Sequence, residues 1–189
     1  MENIKTRLKE VVPYISTTKK LLKGAHDIYT SRTSTYIKNK IRESDKNARR
    51  QYRGENHAIV ILPNGKIGIS NFLGNGTHII QRLKSNDPPR TYTDSVARSH
   101  DIAYALSTFE PTQEAQLKDI RLADNEMINK LRVARKQKAD NLFNISIGLR
   151  LIQSKKMLED IGVLHKDKFI GKLNMYNKDE KKILLDHIT

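Results

Sequence analysis

Between Leu117 and Ala134 the apolar positions Leu117, Ile120, Met127, Leu131 and Ala134 recur at steps of three, four and seven, which is the stripe of an amphipathic helix. The place in that stripe four residues after Ile120 holds Asp124. A carboxylate facing a core costs free energy unless it is paired or hydrogen-bonded. The helical stretch before it has a matching feature, because Val96, His100 and Ala103 share one face. Two antiparallel helices are therefore expected to turn a histidine and an aspartate toward each other.

The flanking punctuation sets the limits of these helices. Pro88-Pro89 breaks the chain, and Thr91 with Asp94 three residues later reads as a capping box. The first helix should run from there to about Leu106 or Ser107, and the second should begin near Pro111 or Thr112. Upstream, Ala58–Leu62 and Lys66–Ser70 read as two short strands around the turn Pro63-Asn64-Gly65. The second strand leads into a glycine-rich loop at 72–77. Residues 139–164 look like further helix, with Leu142, Ile145, Leu149 and Ile152 on one side and Gly162 as the stop. The tail from 165 is either a short helix or a docking segment. The expectation is a mainly α fold with a small β-hairpin, in three regions: a basic, helical or extended N-terminal arm (1–55), a core (56–138), and a C-terminal helix and tail (139–189).

Composition narrows the partners. The chain has no cysteine, so disulfides and zinc–thiolate sites are excluded. Its 35 basic and 21 acidic residues give a net charge of +14, which favours an anionic partner: nucleic acid, a phospholipid surface or an acidic protein. Tyr36–Arg53 carries Lys38, Lys40, Arg42, Lys46, Arg49, Arg50 and Arg53 with few apolar residues. It lacks aromatic interleaving or a groove-reading motif, so any nucleic-acid contact through this arm is expected to be nonspecific. No apolar run approaches a membrane span, and Met1-Glu2-Asn3-Ile4-Lys5 lacks an apolar signal core.

The segment Val96–Tyr104 carries the chemistry. An imidazole titrates near neutrality, so His100 can take a proton from water if an acceptor orients its other nitrogen, and Asp124 is placed to do that. Tyr104, one turn after His100, can join the same network. Asp101 lies about a quarter-turn round the helix and can face a cation held by the loop Phe72-Leu73-Gly74-Asn75-Gly76-Thr77. Calcium takes carboxylate and main-chain carbonyl oxygens, and two glycines let such a loop turn its carbonyls inward. His26-Asp27-Ile28-Tyr29 imitates the motif but spaces its tyrosine at three and has no Gly-x-Gly before it. His57, His78, His165 and His187 show no partner pattern.

The ordered pieces Gly74-Asn75-Gly76-Thr77, Pro88-Pro89, Asp94–Tyr104 with its H-D-x-A-Y core, and Ala123-Asp124 resemble the viral phospholipase A2 domain of parvovirus minor capsid proteins. The resemblance covers residues 72–127, under a third of the chain. It implies a phospholipase A2-like core in which His100 activates water, Asp124 orients His100 and Tyr104 supports them. It implies a calcium ion bound by Asp101 and the carbonyls of Phe72, Gly74 and Gly76. The implied reaction is hydrolysis of the sn-2 acyl ester of glycerophospholipids. The implied setting is a virion, with other capsid proteins as partners and an endosomal membrane as target during entry. The chain departs from the pattern in having Phe72 for tyrosine, Asn75 for proline and Thr77 for asparagine. The connection from Thr77 to Pro88 is also longer. The competing expectation is a non-catalytic minor capsid or core protein that binds capsid lattice or nucleic acid through its arms.

Overall fold

A hairpin leads the part of the chain seen in the computed structural model, which describes residues 52–160 and 173–188 together with Asn39 and Ile41. The chain divides into two units, Met1–Ser44 and Asp45–Thr189, and the architecture below is that of the second. Lys38, Lys40, Arg42, Lys46, Arg49, Arg50, the His26-Asp27 pair, Gly162 and His165 lie outside the described residues.

Strand β1 (Asn56–Ile61) pairs antiparallel with β2 (Ile67–Asn75), with a bulge between His57 and Ile59. Gly65 closes the turn at φ +77° by donating its N–H to the Leu62 carbonyl. Two strands alone are marginal in water, and here helices cover them. Five helices follow among the described residues: α1 (Ile79–Lys84), α2 (Tyr92–Ser107), α3 (Gln113–Gln137), α4 (Leu142–Asp160) and α5 (Lys178–Asp186). The molecule is thus mainly helical with one small sheet.

The helix limits follow from local chemistry. Thr91 caps α2 by accepting the Asp94 N–H, and Thr112 caps α3 by accepting that of Ala115. The expected capping box at α2 is only half made. The Asp94 carboxylate is fully buried and turns away from the helix to accept the N–H groups of Asn71, Phe72, Leu73 and Arg90 at 2.8–2.9 Å. One side chain therefore ties the middle of β2 to the start of α2. Asn177 and Glu180 form a complete capping box at α5, so the tail contains a helix.

The core gathers Val60, Phe72, Leu73, Ile79, Leu83, Val96, Ile102, Met127, Leu131, Ile145, Ile152 and Leu184. Helix α3 folds back along α2 and supplies Met127 and Leu131, the expected stripe. On α4, Ile145, Leu149 and Ile152 are buried as expected, but Leu142 is exposed because the helix begins there, beyond the packed face. Gly148 lets α4 close on its neighbours, since a Cβ there would stand 2.9 Å from Thr93 Cγ2 and 3.0 Å from Leu131 Cδ1. Asn144 pairs with the free edge of β1, accepting the Ile61 N–H and donating to the Ile61 carbonyl, each at 2.8 Å.

Candidate functional site

The two polar interruptions of the apolar stripes meet. His100 Nε2 lies 2.9 Å from Asp124 Oδ1, across the α2–α3 contact. Tyr104, one turn further along α2, donates its hydroxyl to the same oxygen at 2.6 Å. Asp124 is fully buried and accepts from both, so the carboxylate on the core stripe is satisfied. Burial alone would raise its carboxyl, but hydrogen bonds from His100, Lys155 and Tyr104 outweigh it and hold Asp124 below the ordinary value. For His100, burial disfavours the cation, yet the carboxylates of Asp101 and Asp124 prevail and raise it above the usual imidazole value.

Asp101 turns to the other side of the imidazole, with Oδ1 3.4 Å from His100 Nδ1. Its second oxygen, Oδ2, is buried with no hydrogen-bond partner among the described residues. Burial pushes the Asp101 carboxyl up, and His100 and the Thr77 hydroxyl pull against that rise. The single Thr77 hydroxyl proton has a second acceptor in reach, the Phe72 carbonyl at 3.2 Å, so it serves either the glycine segment or Asp101.

The glycine segment is not the free loop the sequence suggests. Phe72–Asn75 complete β2, with Gly74 opposite His57 and Asn75 opposite Asn56. The reason is close backbone approach: a Cβ on Gly74 would lie 2.4 Å from the Asn56 carbonyl oxygen, and one on Gly76 2.7 Å from that of Gly54. Their φ angles of +153° and +76° also suit glycine. The described residues contain no cluster of three histidine or acidic side chains able to hold a metal. A buried carboxyl oxygen without a donor is costly to ionise alone, and a cation beside it would offset that cost. Of the oxygens that the resemblance implies for calcium, the Asp101 carboxylate has a buried atom without a donor among the described residues, whereas the Phe72 carbonyl accepts from Thr77 and Gly74 lies within the paired strand.

Beside His100 lies a cavity of about 140 Å³ whose walls include Val96, Ile102, Leu106, Met127 and Ile188. Ser99, Glu126, Lys130 and His187 also line it, so the recess offers apolar walls together with charged and polar groups.

Two features escaped the sequence reading. Lys155 on α4 reaches Asp124 Oδ2 at 2.6 Å, contacts the Tyr104 hydroxyl, and lies 4.8 Å from the centre of that ring. The signal was present, because Lys155 follows Ile152 by three on the same inward stripe, a charge among apolar positions like Asp124. His57, read as partnerless, is fully buried. Its Nδ1 faces the Ser70 carbonyl at 3.2 Å and its Nε2 faces the Thr77 hydroxyl at 3.3 Å. Beside it the buried Arg82 pairs with Glu55 at 2.5 Å and Asp87 at 3.1 Å. Apart from Asp87, five residues after Arg82, those partners are 13 to 27 residues away and leave no local pattern.

Comparison with protein-family models, curated proteins and solved structures finds no match for the chain.

Proposed function

We propose that the chain is a calcium-dependent phospholipase A2, hydrolysing the sn-2 acyl ester of glycerophospholipids. The observation that carries this reading is the His100 Nε2–Asp124 Oδ1 contact of 2.9 Å, which commits one ring nitrogen and leaves Nδ1 on the Asp101 side. An ionised Asp124 is an acceptor only, so Nε2 carries the proton and Nδ1 the lone pair. His100 then takes a proton from water through Nδ1 and later returns it to the leaving alkoxide. Asp124 steadies the imidazolium, and Tyr104 fixes the carboxylate. Bound calcium would supply charge to stabilise the oxyanion of the attacked ester. The apolar walls that Val96, Ile102, Leu106 and Met127 give the cavity beside His100 support an acyl substrate, and the charge of +14 supports residence on an anionic membrane.

The resemblance to parvovirus capsid phospholipases supports a virion component that breaches an endosomal membrane during entry. A second reading draws on the same charge: a minor capsid or core protein that binds capsid lattice or nucleic acid and performs no catalysis. Fatty-acid release from phospholipid vesicles, with calcium and with chelator, separates the two. The enzyme reading expects release that needs calcium and is abolished in His100→Ala. Folded protein that releases no fatty acid in calcium overturns it.

A further inference from the structure

Asp124 has two oxygens, and only one of them serves His100 and Tyr104. The other, Oδ2, accepts from Lys155 Nζ at 2.6 Å. The Lys155 side chain is 14% exposed and Asp124 1%. Glu159, one turn along α4 and also buried, steers the ammonium from 3.2 Å. One cation is thus shared between two buried carboxylates and the tyrosine hydroxyl.

We propose that Lys155 is a positioning residue for the His100–Asp124 pair, a role that rests on reading that pair as the reactive centre. The argument is one of direction. An ammonium group only donates. Where Lys155 donates to the Tyr104 oxygen, the tyrosine proton must go onward to Asp124. Where Lys155 donates to Oδ2, Asp124 stays ionised and can only accept. In the neutral ring Nε2 is then the N–H donor, since Asp124 lies at 2.9 Å and Asp101 faces Nδ1 only at 3.4 Å, and the lone pair falls on Nδ1. Lys155 also blocks rotation of the carboxylate, which would exchange Oδ1 for Oδ2 in front of the imidazole. A salt bridge that merely fastened α4 to α3 would need none of these contacts to fall on the groups that hold His100.

The test reads the ring directly. Long-range proton–nitrogen spectra of His100 are recorded in its neutral form for the wild type, Lys155→Met, Lys155→Gln and Lys155→Arg. The wild type and Lys155→Arg are expected to show one tautomer, protonated at Nε2. The two uncharged variants are expected to show averaged ring nitrogens. In vesicle hydrolysis the uncharged variants should lose about tenfold or more in kcat with KM nearly unchanged, and arginine should restore most of the loss. A folded uncharged variant with the wild-type ring spectrum overturns the proposal. So does a wild-type spectrum with the proton on Nδ1, which needs no variant to fold. If the wild type hydrolyses nothing but the ring spectra change as stated, the phospholipase reading fails and the role of Lys155 in fixing His100 stands.

Discussion

Asp94 accepts the backbone N–H of Phe72 at 2.8 Å, although the two residues are 22 apart in sequence. The same carboxylate takes the N–H groups of Asn71, Leu73 and Arg90. Its replacement by asparagine keeps the shape but turns an NH2 group toward backbone donors. Asp94→Asn is expected to lower stability by about 2–3 kcal/mol, since hydrogen bonds to a charged group are lost and buried donors are left unmet. The midpoint of urea unfolding measures this, and an unchanged midpoint would remove Asp94 from its place as the tie between β2 and α2.

Gly74 and Gly65 both have positive φ but differ in surroundings. A Cβ at Gly65 meets nothing within 4 Å, whereas at Gly74 it meets backbone at 2.4 Å and 2.6 Å. Gly65→Ala should cost about 1 kcal/mol from its φ alone. Gly74→Ala should cost more than about 2 kcal/mol, because backbone cannot yield as a side chain can. Denaturant midpoints of the two variants, compared side by side, decide this.

Asp140 joins the starts of α2 and α4, accepting the N–H of Thr93 at 2.7 Å and the Asn144 side-chain amide at 2.9 Å. Burial raises its carboxyl, but the hydrogen bonds from Thr93, Asn144 and Asn141 outweigh that and lower it. A carboxylate whose folded value lies below its unfolded value, about 3.9, stabilises above that pH and stops doing so as pH falls through the folded value. Asp140→Asn should therefore be less stable than the wild type at pH 7, and the gap should close below about pH 4. Unfolding curves at pH 7, 5 and 3.5 check the sign.

Asp101 and Asp124 together hold His100 above the ordinary imidazole range. In calcium-free protein, Asp101→Asn should lower the His100 midpoint, followed by the ring-proton shift against pH. An unmoved midpoint would show that the 3.4 Å contact is not felt by the imidazole.

Tyr104→Phe removes one of three donors to Asp124 while His100 and Lys155 remain. Vesicle hydrolysis should fall by less than about tenfold, against near-complete loss for His100→Ala. Equal losses in the two variants would place Tyr104 at the reacting atoms instead of behind them.

Periodicity and capping chemistry made the helix pair legible in the sequence. Asp124 and His100 each broke an apolar stripe, and the structure joins them for the reason that made them conspicuous. Gly65 after Asn64 announced the hairpin. The remainder depended on contacts that local pattern does not encode. Glycines signal turns, so Phe72–Thr77 has the look of a loop in the sequence, whereas Gly74 and Gly76 admit the backbone of Asn56 and Gly54. Helix α1 has six residues, too few to show a period. Beside Ile79, Ile80 and Leu83 its inward face carries Arg82, whose charge suggests a surface until Glu55 and Asp87 are seen around it. Lys155 was overlooked because a lysine near a helix end ordinarily points to solvent.

Helix α2 carries Asp94, seated on the hairpin backbone, and His100 six positions later. One residue added between them would swing His100 round the helix axis by about 100° and off Asp124, with Asp94 still in place. Related chains that keep the site are expected to hold this spacing constant. Length variation should fall instead at the hairpin turn, where Pro63, Asn64 and Gly65 are exposed and space around Gly65 is open.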